Sequence, residues 1–186
     1  MSLSNSIGFD DGPFPPHHRG DVDLIGAVFS GLRLEGVLRT RARRDGRNAT
    51  DRIIAAIGGS RFSKHPQILL LQGIAVAGFN VVDIHTLNGR LGIPVVVVSR
   101  NKPNLTAVRE ALLGSVPGGK RKWRLVERAG PPLKIDDRWL QCAGCACDVA
   151  ASLIERLAVN SHMPEPLRTA HLIASGISGL PTRKRV

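Results

Sequence analysis

Two continuous apolar runs in the middle of the chain constrain its fold more than any other feature. The runs are "QILLLQGIAVAGF" at 67–79 and "PVVVVS" at 94–99, and both carry apolar residues at odd and even positions. A strand with this pattern is buried on both faces, which is typical of parallel strands covered by helices. We therefore predict two buried strands, joined by a helix over about 80–88 for which Asn80 is the cap.

The residues before these runs predict three shorter strands that follow one another directly. They are "SIGFD", "VDLIGAVFSG" and "LEGVLRTRAR", and Gly12 and Gly31 mark tight connections. Consecutive strands with short connections favour an antiparallel meander. The next segment, "ATDRIIAAIGG", is a predicted helix with Asn48 as its cap and Gly58 and Gly59 at its end.

The residues after the second buried strand alternate between helices and short strands. Pro103 and Asn104 open a predicted helix, "KRKWRLVERAG" is helical, and "PPLKI" and "RWLQCAG" are short edge strands. "CDVAASLIERLAV" is a helix with Val149, Leu153, Ile154 and Leu157 inward, and a last helix covers about 164–176. The sequence contains no repeat and no low-complexity linker. We therefore predict one domain over 1–186, with a core at about 6–180 and a short basic C-terminal tail.

The charge balance indicates a polyanionic partner. The 186 residues carry 26 Lys and Arg against 15 Asp and Glu, a net charge of +11. RNA or DNA is the predicted partner, and a merely solvated basic surface is the alternative. Trp123 lies among the cations, where it can stack on an unpaired base or pack against the domain. The predicted nucleic-acid contacts are Arg41, Arg43, Arg44, Arg100, Lys120, Arg121, Lys122, Trp123 and Arg124.

The spacing of the three cysteines and the hydropathy of the chain indicate in which cellular compartment the protein is expected. Cys142, Cys145 and Cys147 are too close and too unevenly spaced for a disulfide-stapled secreted fold, so we expect small buried thiols. A metal site is the alternative, with His162 as a fourth ligand. No run approaches the roughly 20 apolar residues that span a bilayer, and "MSLSNS" has no signal-peptide character. We expect a cytoplasmic protein without a membrane partner.

Two adjacent carboxylates stand where the first predicted strand ends. Asp10 and Asp11 occur in "SIGFDDGPF", just before a turn made by Gly12 and Pro13. Because side chains alternate along a strand, the two carboxylates point to opposite faces. Either residue can start the turn by accepting a bond from a nearby amide, and a metal ligand at the strand end is the alternative.

Several motifs together resemble a known family. "FDDGPF", "DGRNATDRI", "LLLQGIAVAGFN", "PVVVVSRNKP" and "MPEPLRTAHLIASG" occur in this order over about 7–180. The chain resembles the archaeal domain-of-unknown-function family ninety-nine, a distant relative of endonuclease V. The resemblance implies an α/β, RNase H-like mixed sheet. An antiparallel three-strand meander is followed by parallel strands, and helices cover both faces.

The resemblance also implies a set of site residues. In endonuclease V, carboxylates hold Mg²⁺, which orients a water for attack on a phosphodiester. Asp10 matches the first-strand ligand, and we expect it beside Gln72 on a neighbouring parallel strand, with Asp11 in a structural role. Gln72 stands where a carboxylate is expected, which removes a charge from a magnesium site. The remaining matches are Asp45 or Asp51 for a glutamate, Arg100 for a lysine and His171 for a residue near the metal.

Two of these matches have structural alternatives. Asp51 lies three residues after Asn48 and suits a helix cap equally well. His171 shares a helix side with Leu167 and Ala174 and can be a core histidine. A nuclease site requires a compact cluster of Asp10, His171 and one of Asp45 or Asp51.

Three functions follow from the residues and the resemblance. The sequence favours a nucleic-acid or ribonucleoprotein binding module with a degenerate metal site. A Mg²⁺-dependent endonuclease that hydrolyses phosphodiester bonds in RNA or DNA is the alternative. A protein-interaction role, in which the charge only confers solubility, is the third.

Overall fold

The computed structural model describes residues 4–180 as one seven-stranded sheet, a small two-stranded sheet and six helices. The strands are β1 Asn5–Asp11, β2 Asp21–Ser30, β3 Arg33–Arg43, β4 Ile68–Gln72, β5 Ala75–Val76, β6 Asn80–Val81, β7 Val95–Ser99, β8 Leu133–Ile135 and β9 Arg138–Ala143. The helices are α1 Ala49–Gly58, α2 Ile84–Leu91, α3 Leu105–Gly114, α4 Gly119–Arg128, α5 Cys147–Leu157 and α6 Glu165–Ser178. The basic residues near the C-terminus lie outside the described range.

The strand order of the large sheet is β3-β2-β1-β4-β7-β9-β8. β1, β2 and β3 form the predicted antiparallel meander, and β1, β4 and β7 are parallel. β9 runs antiparallel to β7 and lies inside the sheet, so that only β8 of the two predicted edge strands is at an edge. The mixed sheet confirms the predicted fold class.

Helices cover both faces of the large sheet, as predicted. Alternate residues of β1, β4 and β7, such as Phe9 and Leu71, form one core with α1 and α2. The intervening residues, such as Leu70 and Val98, form the opposite core with α5 and the start of α6. Ala170 of α6 continues this second layer over β2. The two layers explain why both central strands are apolar on each face.

The longer apolar run does not form one strand as predicted. β4 ends at Gln72, because Gly73 has a φ of +85° and turns the chain out of the sheet. The residues that follow form the hairpin of β5 and β6. The next helix begins at Ile84 and not near Asn80, and Asp83 is its cap.

Asn80 caps a different helix from the one predicted. Its Oδ1 accepts a bond from the Ala49 amide at 3.1 Å, at the start of α1. The Asn48 side chain does not cap α1, because its Oδ1 instead accepts bonds from the Arg43 amide and the Asn80 side chain. A residue 31 positions away in the sequence therefore supplies the cap.

Three predictions for the C-terminal third are also corrected. Val149 is 57% exposed, and Ala150 takes its place on the buried side of α5. α6 continues through Gly176 to Ser178, and Gly179 is its C-cap. Cys142 and Cys147 form a disulfide between β9 and α5, whereas Cys145 is a free thiol whose pKa is raised by burial.

Replacing Asp83 with Ala is expected to cost about 0.5–2 kcal/mol of stability through loss of the α2 cap. Asp83 accepts bonds from the Thr86 amide at 3.0 Å and hydroxyl at 2.8 Å, and pairs with Arg128 at 3.0 Å. Partial burial tends to raise the pKa of Asp83, but these partners outweigh it and lower the pKa below its usual 3.8.

The lowered pKa gives this prediction a pH dependence. The Asp83 contribution is fully present above pH 3.8 and is lost as the pH falls through the lowered folded pKa. Melting curves of wild type and Asp83→Ala at pH 7 and at pH 2–3 measure it. An equal difference at both pH values would contradict the charged cap.

No helix within residues 4–180 is both long enough and apolar enough to span a membrane.

Candidate active site at the carboxyl edge of the sheet

A buried carboxylate and a histidine meet near the end of β1. The Asp10 side chain is 0% exposed, and its Oδ2 lies 2.8 Å from Nδ1 of His171 on α6. The His171 side chain is 25% exposed. The imidazole therefore connects a carboxylate in the protein interior with the surface.

Gly8 explains how α6 comes close enough for this contact. A Cβ at Gly8 would lie 2.5 Å from the backbone carbon of Pro166, so only glycine permits this approach. Asp10 and Gly12 follow Gly8 on the same face of the strand. A Cβ at Gly12 would lie 3.2 Å from the Ala174 carbonyl oxygen. Gly8, Asp10 and Gly12 thus follow α6 along its length, with Asp10 beneath His171.

Gln72 lies beside Asp10, as predicted. β1 and β4 are parallel with Phe9 opposite Leu71, so the next residues, Asp10 and Gln72, stand level at the carboxyl ends of neighbouring strands. Gln72 pairs in turn with Val98 of β7. Arg100, two residues beyond Val98, is exposed at the same edge of the sheet.

Asp11 points to the opposite face, as alternation requires, and it contacts a turn that lies far from it in the sequence. Its Oδ2 accepts a bond from the Ala77 amide at 2.8 Å. Ala77 belongs to the β5–β6 hairpin and has a φ of +49°. Asp11 thus fixes a strained turn that is distant in the sequence.

We expect Asp11→Ala to destabilise the protein by about 1–3 kcal/mol, because the buried Ala77 amide would lose this acceptor. Urea denaturation of wild type and variant measures the loss. Asp21→Ala is the matched control, since Asp21 begins the neighbouring strand β2 but is exposed. Equal stability of Asp11→Ala and wild type would contradict the structural role.

The predicted cluster of Asp10, His171 and a third carboxylate does not form. Asp45 has a φ of +51°, and its carboxylate accepts a bond from the Phe79 amide at 2.8 Å and pairs with Arg44 at 3.2 Å. Asp51 is exposed in the first turn of α1, on the other face of the sheet from Asp10. Within residues 4–180 no three His, Cys, Asp or Glu side chains converge as a metal site.

The side chains at this edge do not fit a Mg²⁺ ion. Mg²⁺ prefers oxygen ligands and a high local negative charge, whereas imidazole suits softer metals. Asp10, which is hydrogen-bonded to an imidazole, stands level only with the neutral amide of Gln72 on the neighbouring strand β4. These side chains therefore do not supply the charge that the implied Mg²⁺ requires.

Gln72→Asp is expected to create Mg²⁺ binding, because a second carboxylate would stand level with Asp10. We expect no rise in the wild-type melting temperature with millimolar Mg²⁺. The variant should gain about 2–4 °C for each kcal/mol of binding free energy. Asp10→Asn/Gln72→Asp is the control and should not respond. A wild-type response that Asp10→Asn removes would show that the native edge already binds the metal.

The predicted nucleic-acid contacts separate into exposed and engaged groups. Lys122 is only 3% exposed, and its Nζ donates to the Asp45 carbonyl at 2.5 Å. Arg44 donates to the Pro16 and His18 carbonyls at 2.6 Å. Both cations therefore stabilise loops. The exposed members of the set are Arg41, Arg43, Arg100, Lys120, Arg121 and Arg124. Of these, Arg41 also pairs with Asp23 and Arg43 with Asp21.

Trp123 packs against the domain rather than standing free as a stacking platform. Its indole contacts the apolar cluster of Val81, Leu112 and Val126. The indole N–H donates to Glu127 at 2.7 Å.

One charged group was missed by the sequence analysis. Asp23 of β2 holds two arginines of β3, with Arg39 bound through both carboxylate oxygens and Arg41 through one, all at 3.0 Å. The Arg39 bonds are the largest influence and, with Arg41, lower the pKa of Asp23. The alternation of Arg39 and Arg41 predicts that they share a face, but the pairing register with β2 was needed to locate their acceptor.

Relatives of the chain occur in bacteria and archaea. A UPF0215 protein from Deinococcus radiodurans is 49% identical over 95% of this chain and 90% of its own length. One from Methanothermobacter thermautotrophicus is 43% identical over 92% of the chain and 86% of its own length. The archaeal restriction implied by the resemblance is thus not confirmed.

Solved structures show the same architecture. A protein from Archaeoglobus fulgidus superposes with a TM-score of 0.87 at 34% identity, covering 93% of this chain and 97% of that one. Endonuclease V from Bacillus subtilis superposes with a TM-score of 0.63 at 13% identity, covering 95% and 81%. Endonuclease V from Ciona intestinalis, in complex with DNA containing an inosine, gives 0.56 at 13% identity, covering 91% and 83%. The endonuclease V likeness concerns the fold alone.

The profile of the family described as Endonuclease dU matches residues 3–178, and the chain belongs to this family.

Proposed function

We propose that this protein is an endonuclease that cuts DNA containing deoxyuridine, with Asp10 and His171 at its reacting centre. The observation that carries the proposal is the 2.8 Å contact between the buried Asp10 carboxylate and the partly exposed His171 ring. The family description, Endonuclease dU, supports an endonuclease that acts at deoxyuridine. The sequence alone favoured a binding module over a nuclease, and the proposal reverses this preference.

The Asp10–His171 pair suits general-base catalysis. When the carboxylate is ionised and the imidazole is neutral, Nδ1 of His171 donates to Asp10 and Nε2 keeps a lone pair. Nε2 removes a proton from a water whose oxygen attacks phosphorus. The bond from phosphorus to the leaving oxygen breaks, and that oxygen receives the proton carried by His171.

The exposed cations at the same edge suit the DNA backbone. Arg100 follows β7, and Arg41 and Arg43 lie near the end of β3, so cations stand on both sides of Asp10. Each phosphate neutralised by Arg or Lys releases counterions, so affinity should fall steeply as salt rises.

Binding without cleavage is a second candidate, and Gln72 favours it. An amide stands level with Asp10 where the resemblance implies a carboxylate. A protein that lost this ligand can keep its fold and cationic edge while losing the reaction.

Cleavage of an oligonucleotide with one deoxyuridine tests the proposal, with and without Mg²⁺, against the same sequence with thymidine. We expect wild type to cut the first strand only and Asp10→Asn to bind it without cutting. Asp51→Asn, which changes an exposed carboxylate on the other face, is the control and should cut normally. Binding without cleavage by wild type would support the second candidate and overturn the first.

A further inference from the structure

The three cysteines of the chain form one cluster at the junction of β9 and α5. Cys142 lies on β9 and Cys147 is the first residue of α5, and the disulfide between them joins the two elements. Cys145 lies between them in the sequence and is a free thiol. All three side chains pack against the apolar layer that contains Leu140 and Ile154. A disulfide and a free thiol therefore lie together in one small region.

The cluster can be reached by a small molecule from solvent. Each of the three cysteines is partly exposed, and the intervening residues Gly144 and Ala146 are fully exposed. Thiol–disulfide exchange requires that an attacking thiolate reach one sulfur of the disulfide. Partial exposure of both disulfide cysteines provides this access, which a disulfide deep in the core would not have.

Cys142 has two possible disulfide partners. It is paired with Cys147, and their Cα atoms lie 5.8 Å apart. With Cys145 it forms the Cys-X-X-Cys spacing, in the segment "CAGC", which is typical of thiol–disulfide exchange sites. Gly144 is the third residue of this segment and has a φ of +80°, as in a type II turn, which brings the first and last Cα atoms within about 7 Å. A disulfide spans Cα atoms up to about this distance, so the segment suits the second pairing as well.

Two properties of the cluster make a change of partner slow without help. Burial and then the charge of Asp148 raise the pKa of the Cys145 thiol above its usual 9.0, so little of the nucleophilic thiolate is present at neutral pH. Attack on a disulfide also proceeds along the axis of the sulfur–sulfur bond, and Cys147 is fixed on α5. A small thiol in place of Cys147 is free to turn to the side opposite Cys145.

We propose that Cys142, Cys145 and Cys147 form an exchange site for small-molecule thiols, at which Cys142 changes its partner from Cys147 to Cys145. The thiolate of the small molecule attacks the Cys142 sulfur. The bond to Cys147 breaks, and the Cys147 sulfur leaves with the electron pair and takes up the proton that the small thiol released. Cys145 then loses its proton and attacks Cys142, and the small thiol leaves and is protonated again. One disulfide and one free thiol exist before and after, so no oxidant or reductant is consumed.

The change of partner releases the start of α5 from β9. Ala146, the residue before the helix, provides no side-chain cap, so the disulfide rather than a cap ties the first turn to the sheet. The inference concerns this junction and does not depend on the proposed function.

The experiment treats the full-length protein, in the absence of oxygen, with a substoichiometric amount of reduced glutathione. Free thiols are then labelled with N-ethylmaleimide under acidic, denaturing conditions that stop exchange, and the labels are located by mass spectrometry. We expect the label on Cys145 alone at the start. After incubation it should shift in part to Cys147, while the total remains one label per molecule. S-methylglutathione, which lacks the thiol, is the control and should shift no label.

Cys145→Ser tests the second step, because serine has a similar size but cannot attack the mixed disulfide. We expect glutathione to remain on Cys142 in this variant and to be released again by wild type. A label that stays on Cys145 in wild type overturns the exchange site, and so does labelling of all three cysteines before glutathione is added. Equal amounts of the glutathione adduct in wild type and variant overturn Cys145 as the second partner. The wild-type measurement needs no substitution, and Cys145→Ala is the second variant if Cys145→Ser lowers the melting temperature.

Discussion

His171→Ala is expected to lower the cleavage rate by about 10²–10⁴-fold, the contribution typical of a positioned general base. The ring lies 2.8 Å from Asp10 and is the group that joins the buried carboxylate to the surface. Binding of the substrate strand should change little, because the proposed function assigns the phosphate contacts to the exposed arginines. Single-turnover cleavage and a separate binding titration measure the two effects.

His85→Ala is the matched control for this prediction. His85 also contacts the chain through one ring nitrogen, at 2.9 Å from the Arg128 carbonyl, but it lies on α2. It should retain wild-type cleavage. Equal rates for His171→Ala and wild type would refute a role for His171 as base, and an equal loss in both variants would indicate a general effect on folding.

Gly8→Ala is expected to cost about 1–3 kcal/mol of stability and to abolish cleavage together with it. The new Cβ would meet the backbone of Pro166 and Leu167 at 2.5–2.7 Å, and a helix backbone cannot rotate away as a side chain can. α6 must shift as a unit, and His171 moves with it away from Asp10. Denaturant unfolding and single-turnover cleavage at a temperature where the variant is folded measure both losses.

Gly58→Ala provides the comparison for Gly8→Ala. Gly58 ends α1, and a Cβ there would have open space around it. Alanine should be tolerated or slightly stabilising, since it lowers the entropy of the unfolded chain. If Gly8→Ala behaved in the same way, the close approach of α6 would not hold the Asp10–His171 contact.

Local sequence patterns predicted most of the secondary structure. Alternation and apolar runs identified the strands of the large sheet, because each strand buries its own residues in a fixed period. The same patterns failed where a single backbone conformation decided the outcome. Gly73 ends β4 inside a run whose hydropathy continues without interruption. Periodicity carries no information on such a φ angle.

The candidate site was predicted in part. The resemblance brought Asp10, Gln72 and His171 to one edge, and the strand order confirmed the first two as neighbours. Asp45 and Lys122 could not be judged from sequence, because their charges suit a metal or a phosphate. In the structure the Asp45 carboxylate accepts a bond from the Phe79 amide of the β5–β6 hairpin, and Lys122 donates to the Asp45 backbone carbonyl.

The sequence by itself determined the sheet, its two apolar layers and the opposite directions of Asp10 and Asp11, since these follow from the two-residue period of a strand. Only the tertiary structure decided which partner each carboxylate has. Asp10 meets a histidine 161 residues away because Gly8 admits α6, and Asp11 meets an amide 66 residues away in a turn. Such contacts depend on how elements that are distant in the sequence pack together, and a local pattern does not encode which of them meet.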